Sequence, residues 1–153
     1  TKMIEERDLT GYCGLFCVDC IRYQCRASDL ADELLHEMDR LHFAEYADVK
    51  KIHMKAFEDL ESFTALLKAI SDIKCDMPCR LGGDGCGGNC GIIACVSTKG
   101  FEGCWECDDV EECEKLTFLK PFHGDAPLKN MAKIRDLGIE NWAKAREKCY
   151  PWL

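Results

Sequence analysis

Apolar residues recur at helical intervals through a long middle segment. SDLADELLHEMDRLHFAEYADVKKIHMKAFEDLESFTALLKAIS holds no cysteine, glycine or proline, so nothing in it interrupts a helix. Leu30, Leu34, Leu35, Met38 and Leu41 fall on one face and predict a helix over about residues 29 to 42. Ser28 stands where an N-cap belongs, followed by Asp29, Asp32 and Glu33, whose negative charge suits the start of a helix. Leu60, Phe63, Leu66, Leu67 and Ile70 predict a second helix. The intervening Phe43 to Phe57 is expected to be helical too.

The flanks are patterned differently. RLGGDGCGGNCG places six glycines in eleven residues from Leu81 to Gly91, too many for regular structure. EKLTFLKPF predicts a short helix stopped near Pro121. APLKNMAKIRDLGIENWAKAREK predicts two helical segments with Gly138 as the C-cap between them. The expected fold class is therefore mainly α, one domain over 1–153, with small irregular loops. Its parts are an N-terminal cysteine-rich segment at 11–27, a helical segment at 28–71, a second cysteine-rich block at 75–114 and C-terminal helices at 115–149.

With 153 residues, 47% of them hydrophobic, the chain can build one core. No apolar run is long enough to span a bilayer. TKMIEERDLT lacks the apolar stretch of a secretory signal, so a cytoplasmic location is expected. The formal net charge is −8, which sets the overall field against an anionic partner.

Thirteen cysteines change the picture. A reducing compartment and an odd count disfavour a disulfide framework. Two C-x2-C pairs, Cys17/Cys20 and Cys104/Cys107, put two thiolates on one turn, where they can share a metal ion. Cys13, Cys17, Cys20 and Cys25 form a first block; Cys75, Cys79, Cys86, Cys90, Cys95, Cys104, Cys107 and Cys113 form a second; Cys149 stands apart. Zinc takes four such ligands in a structural site, so twelve cysteines allow three sites, and two sites with spare thiols are equally countable. Pairing within a block, cross-braced pairing and a site joining the two blocks all fit the spacing. Of the four histidines, His36, His42 and His53 lie in the cysteine-free middle segment. His36 and His42 fit its helical pattern, and His123 has a loop context.

Catalytic readings have less behind them. CGLFCVDC has the C-x3-C-x2-C spacing that holds an iron–sulfur cluster with one iron open, but the next fifty residues read as helices where such an enzyme would place alternating strands and helices. CWEC has the spacing of a disulfide oxidoreductase, yet Cys95 and Cys113 flank it and a run of acidic residues follows. From Lys74 to Glu114 there are three basic and nine acidic residues, which leaves nothing to neutralise phosphates. No nucleic acid and no membrane are expected as partners; a protein partner is compatible with the sequence. Phe101, Trp105 and Trp142 are expected to pack rather than to stack bases.

YCGLFCVDCIRY at Tyr12 to Tyr23 and CGIIACVSTKGFEGCWECDDVEECEKL at Cys90 to Leu116 resemble the cysteine-rich prokaryotic family called domain of unknown function 3795. LKNMAKIRDLGIENWAKAREK is similar to that family's closing helices, with Gly138 and Trp142 in the matching places. The resemblance implies a small zinc-binding protein without an established activity. Its pattern falls on Cys13, Cys17, Cys20, Cys79, Cys86, Cys90, Cys95, Cys104, Cys107 and Cys113. Cys25 and Cys75 lie outside it, and the resemblance implies that Cys149 corresponds to the stub of a further cysteine-rich tail found in some members. The expected function is zinc binding, mainly structural, through two ions with three as the upper count. The alternative is a [4Fe–4S]-type electron-transfer or redox protein, because thiolates serve either metal. No catalytic constellation is identified: the chain has no P-loop and no convincing Ser-His-Asp set.

Overall fold

Ser28 does not cap the first long helix. In the computed structural model, which describes residues 3–86, 88–147, 150 and 152, α1 (Arg26–Arg40) starts earlier, with Cys25 at its N-cap. The Ser28 hydroxyl instead donates to the Ile70 carbonyl at 2.7 Å. Small residues set that contact: Ser28 and Ala31 are the buried residues of α1, and they let α3 (Leu60–Asp72) approach closely. Leu30, Leu34 and Leu41, expected on the buried face, are 42–51% exposed. Between these helices lie α2 (Phe43–Lys50) and a 3-10 segment (Lys55–Asp59).

Contacts divide the chain into two compact units. One is Gln24–Cys75, which contains the helical segment expected at 28–71. Lys74 pairs with Asp29 at 2.6 Å and Ser71 donates to Asp32 at 3.3 Å, both along one flank of the α1–α3 pair.

The other unit comprises Thr1–Tyr23 and Asp76–Leu153. It is mainly helical as well, with α4 (Gly91–Lys99), α5 (Lys120–His123) and α6 (Ala126–Leu137) set among 3-10 turns. Pro121 sits in the first turn of α5, so it opens that helix rather than stopping the one before it. Glu114–Leu119, ahead of it, is a 3-10 segment. Gly138 ends α6 with φ +79°, as expected of a C-cap. The segment after it is a 3-10 turn, Trp142–Ala145, rather than an α-helix. No strand forms among the described residues; Thr10 and Phe16 make an isolated antiparallel bridge.

The core of this unit is built on Phe16, Val96, Trp105, Met131, Ile134 and Trp142. Trp142 is fully buried, and its indole N–H donates to the Thr10 hydroxyl at 3.0 Å. Phe16 meets its ring edge-on, with centroids 5.5 Å apart. Gly14 adopts φ +80°, and a Cβ there would come within 2.8 Å of Met131 Cγ and 2.9 Å of the Pro127 carbonyl. Only glycine lets the Cys13 turn lie this close on α6, where Asn130 donates to the Gly14 carbonyl at 2.8 Å. No helix among the described residues is long and apolar enough to cross a membrane.

Candidate metal centre

Irregular segments and one helix carry the described cysteines of the larger unit. The Cys13 turn is closed by the Gly11 N–H to the Leu15 carbonyl at 2.7 Å and the Gly14 N–H to the Gly11 carbonyl at 2.9 Å. Cys79 opens a 3-10 turn, Cys79–Leu81. Cys86 lies in the glycine-rich loop, where Arg22 donates to its carbonyl. Cys90 is the N-cap of α4 and Cys95 lies within that helix. Cys104 and Cys107 bracket a 3-10 turn whose Cys107 N–H donates to the Cys104 carbonyl at 3.0 Å. The Cys113 N–H closes a further turn onto Val110.

These segments bring thiols from distant parts of the sequence near one another. A Cβ on Gly11 would lie 3.6 Å from Cys13 Sγ and 3.9 Å from Cys79 Sγ, so those sulfurs flank one backbone point. Burial pushes the Cys13 thiol well above its ordinary value; the Leu15 N–H opposes this, while Cys86, Cys79 and Cys104 add to it as neighbouring negative charges. Cys79 is raised by burial, relieved by the Tyr12 N–H and the Arg80 guanidinium, and raised again by Cys90. Cys104 is pushed up to about 12, first by burial and then by Cys113, Cys95, Cys107 and Cys90 in decreasing order. Cys13 thus has Cys86, Cys79 and Cys104 as neighbours, Cys79 has Cys90, and Cys104 has Cys113, Cys95, Cys107 and Cys90.

Cations hold the Cys104–Cys107 turn from several sides. Lys99, one helical turn after Cys95 on α4, donates to Cys107 Sγ at 3.4 Å. Arg135 on α6 donates to the Trp105 carbonyl at 2.5 Å and the Cys107 carbonyl at 2.9 Å. Arg80 donates to the Thr10 and Glu102 carbonyls at 2.9 and 3.1 Å and lies over the Tyr12 and Trp105 rings. The Cys104 N–H reaches the Tyr12 carbonyl at 2.8 Å, so the N-terminal turn and the C-x2-C turn are stitched directly. Gly85, at φ +87°, is needed for the loop to pass Cys90: a Cβ would sit 2.6 Å from Cys90 Cβ.

Other cysteines are placed elsewhere. Cys17 and Cys20 bracket their own 3-10 turn, closed by Cys20 N–H to Cys17 carbonyl at 3.0 Å. The buried Tyr150 side chain takes a hydrogen bond from the Phe16 N–H and has Cys13, Asp19 and Cys20 as negative neighbours. Cys25 and Cys75 belong to the Gln24–Cys75 unit, where the Gln24 N–H donates to the Cys75 carbonyl at 3.1 Å. Cys149 lies outside the described residues. His123 packs edge-on against the stacked Tyr150 and Trp152 rings, and burial lowers its pKa. Of the three aromatics expected to pack, Trp105 and Trp142 are in the core and Phe101 lies against it.

Among the described residues, no three Cys, His, Asp or Glu side chains stand as an assembled coordination shell. The grouping is one of neighbourhood, set by the backbone. Its chemistry nonetheless fits a soft dication: the donors are sulfurs of the kind zinc takes, and ionisation of Cys13, Cys79 and Cys104 is opposed by burial and by neighbouring cysteines.

The sequence pattern did not single out Arg80, Arg135 or Lys99. For Lys99 a signal exists, since it follows Cys95 by four residues, one turn of a helix. Arg135 is separated from Cys107 by 28 residues, and only tertiary packing joins them.

The fold and this site define a cysteine-rich, mainly helical protein whose irregular loops converge through their thiols. It belongs to the family described as protein of unknown function DUF3795, whose pattern matches residues 9–118. No curated protein and no solved structure matches the chain.

Proposed function

We propose that this protein binds two zinc ions, one through Cys13, Cys79, Cys86 and Cys90 and one through Cys95, Cys104, Cys107 and Cys113. The observation that carries this reading is Cys104. Its thiol is driven up to about 12 by burial and by four neighbouring cysteines, and a dication removes that cost by compensating the thiolates. Metal binding then ties the N-terminal turn, the glycine-rich loop and the acidic C-x2-C segment to one another. Structural zinc contributes on the order of 10 kcal/mol per site in small domains, enough to offset the entropy of ordering a loop rich in glycine. The role is structural, since all four positions of each set are protein thiolates and none is kept open for substrate. Cys17 and Cys20 stand outside both sets in this assignment.

The test is metal analysis and a visible spectrum of protein purified without oxygen. Colourless protein with two zinc ions per chain supports the proposal. Brown protein with broad charge-transfer absorption overturns it in favour of an iron–sulfur cluster, and protein that neither carries nor takes up metal overturns both.

A further inference from the structure

The Gln24–Cys75 unit buries few side chains and leaves a broad apolar face uncovered. Of its hydrophobic residues only Cys25, Ala31, Ala47 and Leu67 are buried, whereas Leu30, Leu34 and Leu41 on the α1 side and Phe63 and Leu66 on α3 remain 42–59% exposed. A helix with apolar residues on one side needs a second layer against which to bury them. In this unit that layer is missing on one side of the α1–α3 pair.

The exposed residues share that side. The Ser28 hydroxyl in the first turn of α1 meets the Ile70 carbonyl near the end of α3, so the two helices run antiparallel. Asp32 and Ser71 meet along one flank. Each residue advances about 100° around a helix, which puts Leu30, Leu34 and Leu41 on the opposite flank of α1. In an antiparallel partner the sense of rotation reverses, which puts Phe63, Leu66 and Ile70 on that same flank of α3. The two rows form one surface.

Their spacing is that of a bundle seam. Leu30, Leu34, Glu37 and Leu41 repeat at intervals of four, three and four; Phe63, Leu66, Ile70 and Ile73 repeat at three, four and three. Such heptad-type spacing suits helices packed about 20° from parallel, as in four-helix bundles. The one ionised residue in the seam, Glu37, is already paired with Arg40 at 2.6 Å. On α3 the bordering positions Ser62, Ala65 and Ala69 are uncharged and small, while Glu61, Lys68 and Asp72 lie on the other side of the helix.

We propose that this face is a homodimer interface, in which α1 and α3 of two copies pack as a four-helix bundle. A face without unpaired charge demands an equally uncharged partner, and a second α1–α3 pair supplies one of matching length and seam spacing. Five side chains of this size, each about half exposed, present on the order of 500 Å². The bordering Ile70, Ile73, Ser62, Ala65 and Ala69 extend this toward the roughly 800 Å² per partner of a standard interface. The footprint suits association at micromolar concentration, strengthened by salt, because each copy carries a net charge of −8 that salt screens while the seam itself is apolar.

Sedimentation analysis of the full chain, from about 1 to 200 µM, tests the proposal. The wild type is expected to dimerise, and Leu34→Glu and Leu66→Glu are each expected to weaken the dimer by about 100-fold or more, with helical circular dichroism unchanged. Leu66→Ser is the gentler second variant and weakens it less. Phe122→Glu, on the other unit where Phe122 is 63% exposed, leaves the dimer intact. A wild type that stays monomeric across the range overturns the proposal. So does a dimer that survives both glutamate variants or is lost in Phe122→Glu.

Discussion

Asp19 and Arg146 form a two-point ion pair, with Nε to Oδ2 at 2.6 Å and the second guanidinium nitrogen to Oδ1 at 2.8 Å. The Asp19 side chain is 6% exposed and that of Arg146 19%. The pair ties the Cys17–Cys20 turn to the segment after Trp142, and the guanidinium also lies 4.5 Å from the Phe16 ring centroid. Removing one partner strands a buried charge, so Asp19→Asn and Arg146→Met are each expected to cost about 3 kcal/mol in urea unfolding. Arg146→Lys keeps the charge but not the fork and falls between. Values within experimental error of the wild type would show that the pair contributes nothing.

Thr10 and Trp142 give a second prediction, because both are completely buried. The Thr10 hydroxyl accepts from the indole N–H and donates to the Glu6 carbonyl at 3.1 Å. Thr10→Val keeps the volume and leaves the indole without an acceptor, at a cost of about 1–3 kcal/mol. Thr10→Ser retains the acceptor and should lose less. The measurement is the urea midpoint at unchanged slope; equal losses for the two variants would mean that packing, not the hydrogen bond, matters at this position.

Metal stoichiometry separates the cysteines. Cys104→Ser is expected to carry one ion fewer and to unfold at lower denaturant, whereas Cys17→Ser and Cys25→Ser keep the wild-type count. Loss of an ion from Cys17→Ser would reassign the first site to the N-terminal block.

Binding of zinc to the metal-free chain should release protons. At pH 7 a thiol whose pKa is about 12 is protonated, and Cys13 and Cys79 are shifted in the same direction by burial. Zinc displaces these protons, so apparent affinity rises with pH and falls in acid. Titration calorimetry in buffers of different ionisation enthalpy reads the released protons directly. A binding heat independent of buffer would contradict the placement of the metal on these thiols.

Much of the helical content was legible in residue spacing. The middle helices, the glycine-rich loop and the stop at Gly138 follow from local preferences that need no distant partner. Ser28 shows where such reasoning ends: its cap position was plausible, but the Ile70 carbonyl of another helix claims its hydroxyl. Leu30 and Leu34 show the same limit, because helical spacing says which residues share a face without saying which face another helix will cover. At Pro121 a residue that ends one helix can equally start the next, and the preceding 3-10 turn settles which.

The sequence by itself determined that thiols would be gathered on short turns, since C-x2-C spacing and local N–H···O closures are properties of a few adjacent residues. It also determined a mainly helical chain. Tertiary structure alone decided that Cys13 is brought beside Cys79 and Cys86 from a distant part of the sequence, and that Arg80 and Arg135 close over the C-x2-C segment. Those relations depend on how the Trp142 core packs, and packing of residues distant in the chain leaves no period or spacing in the sequence.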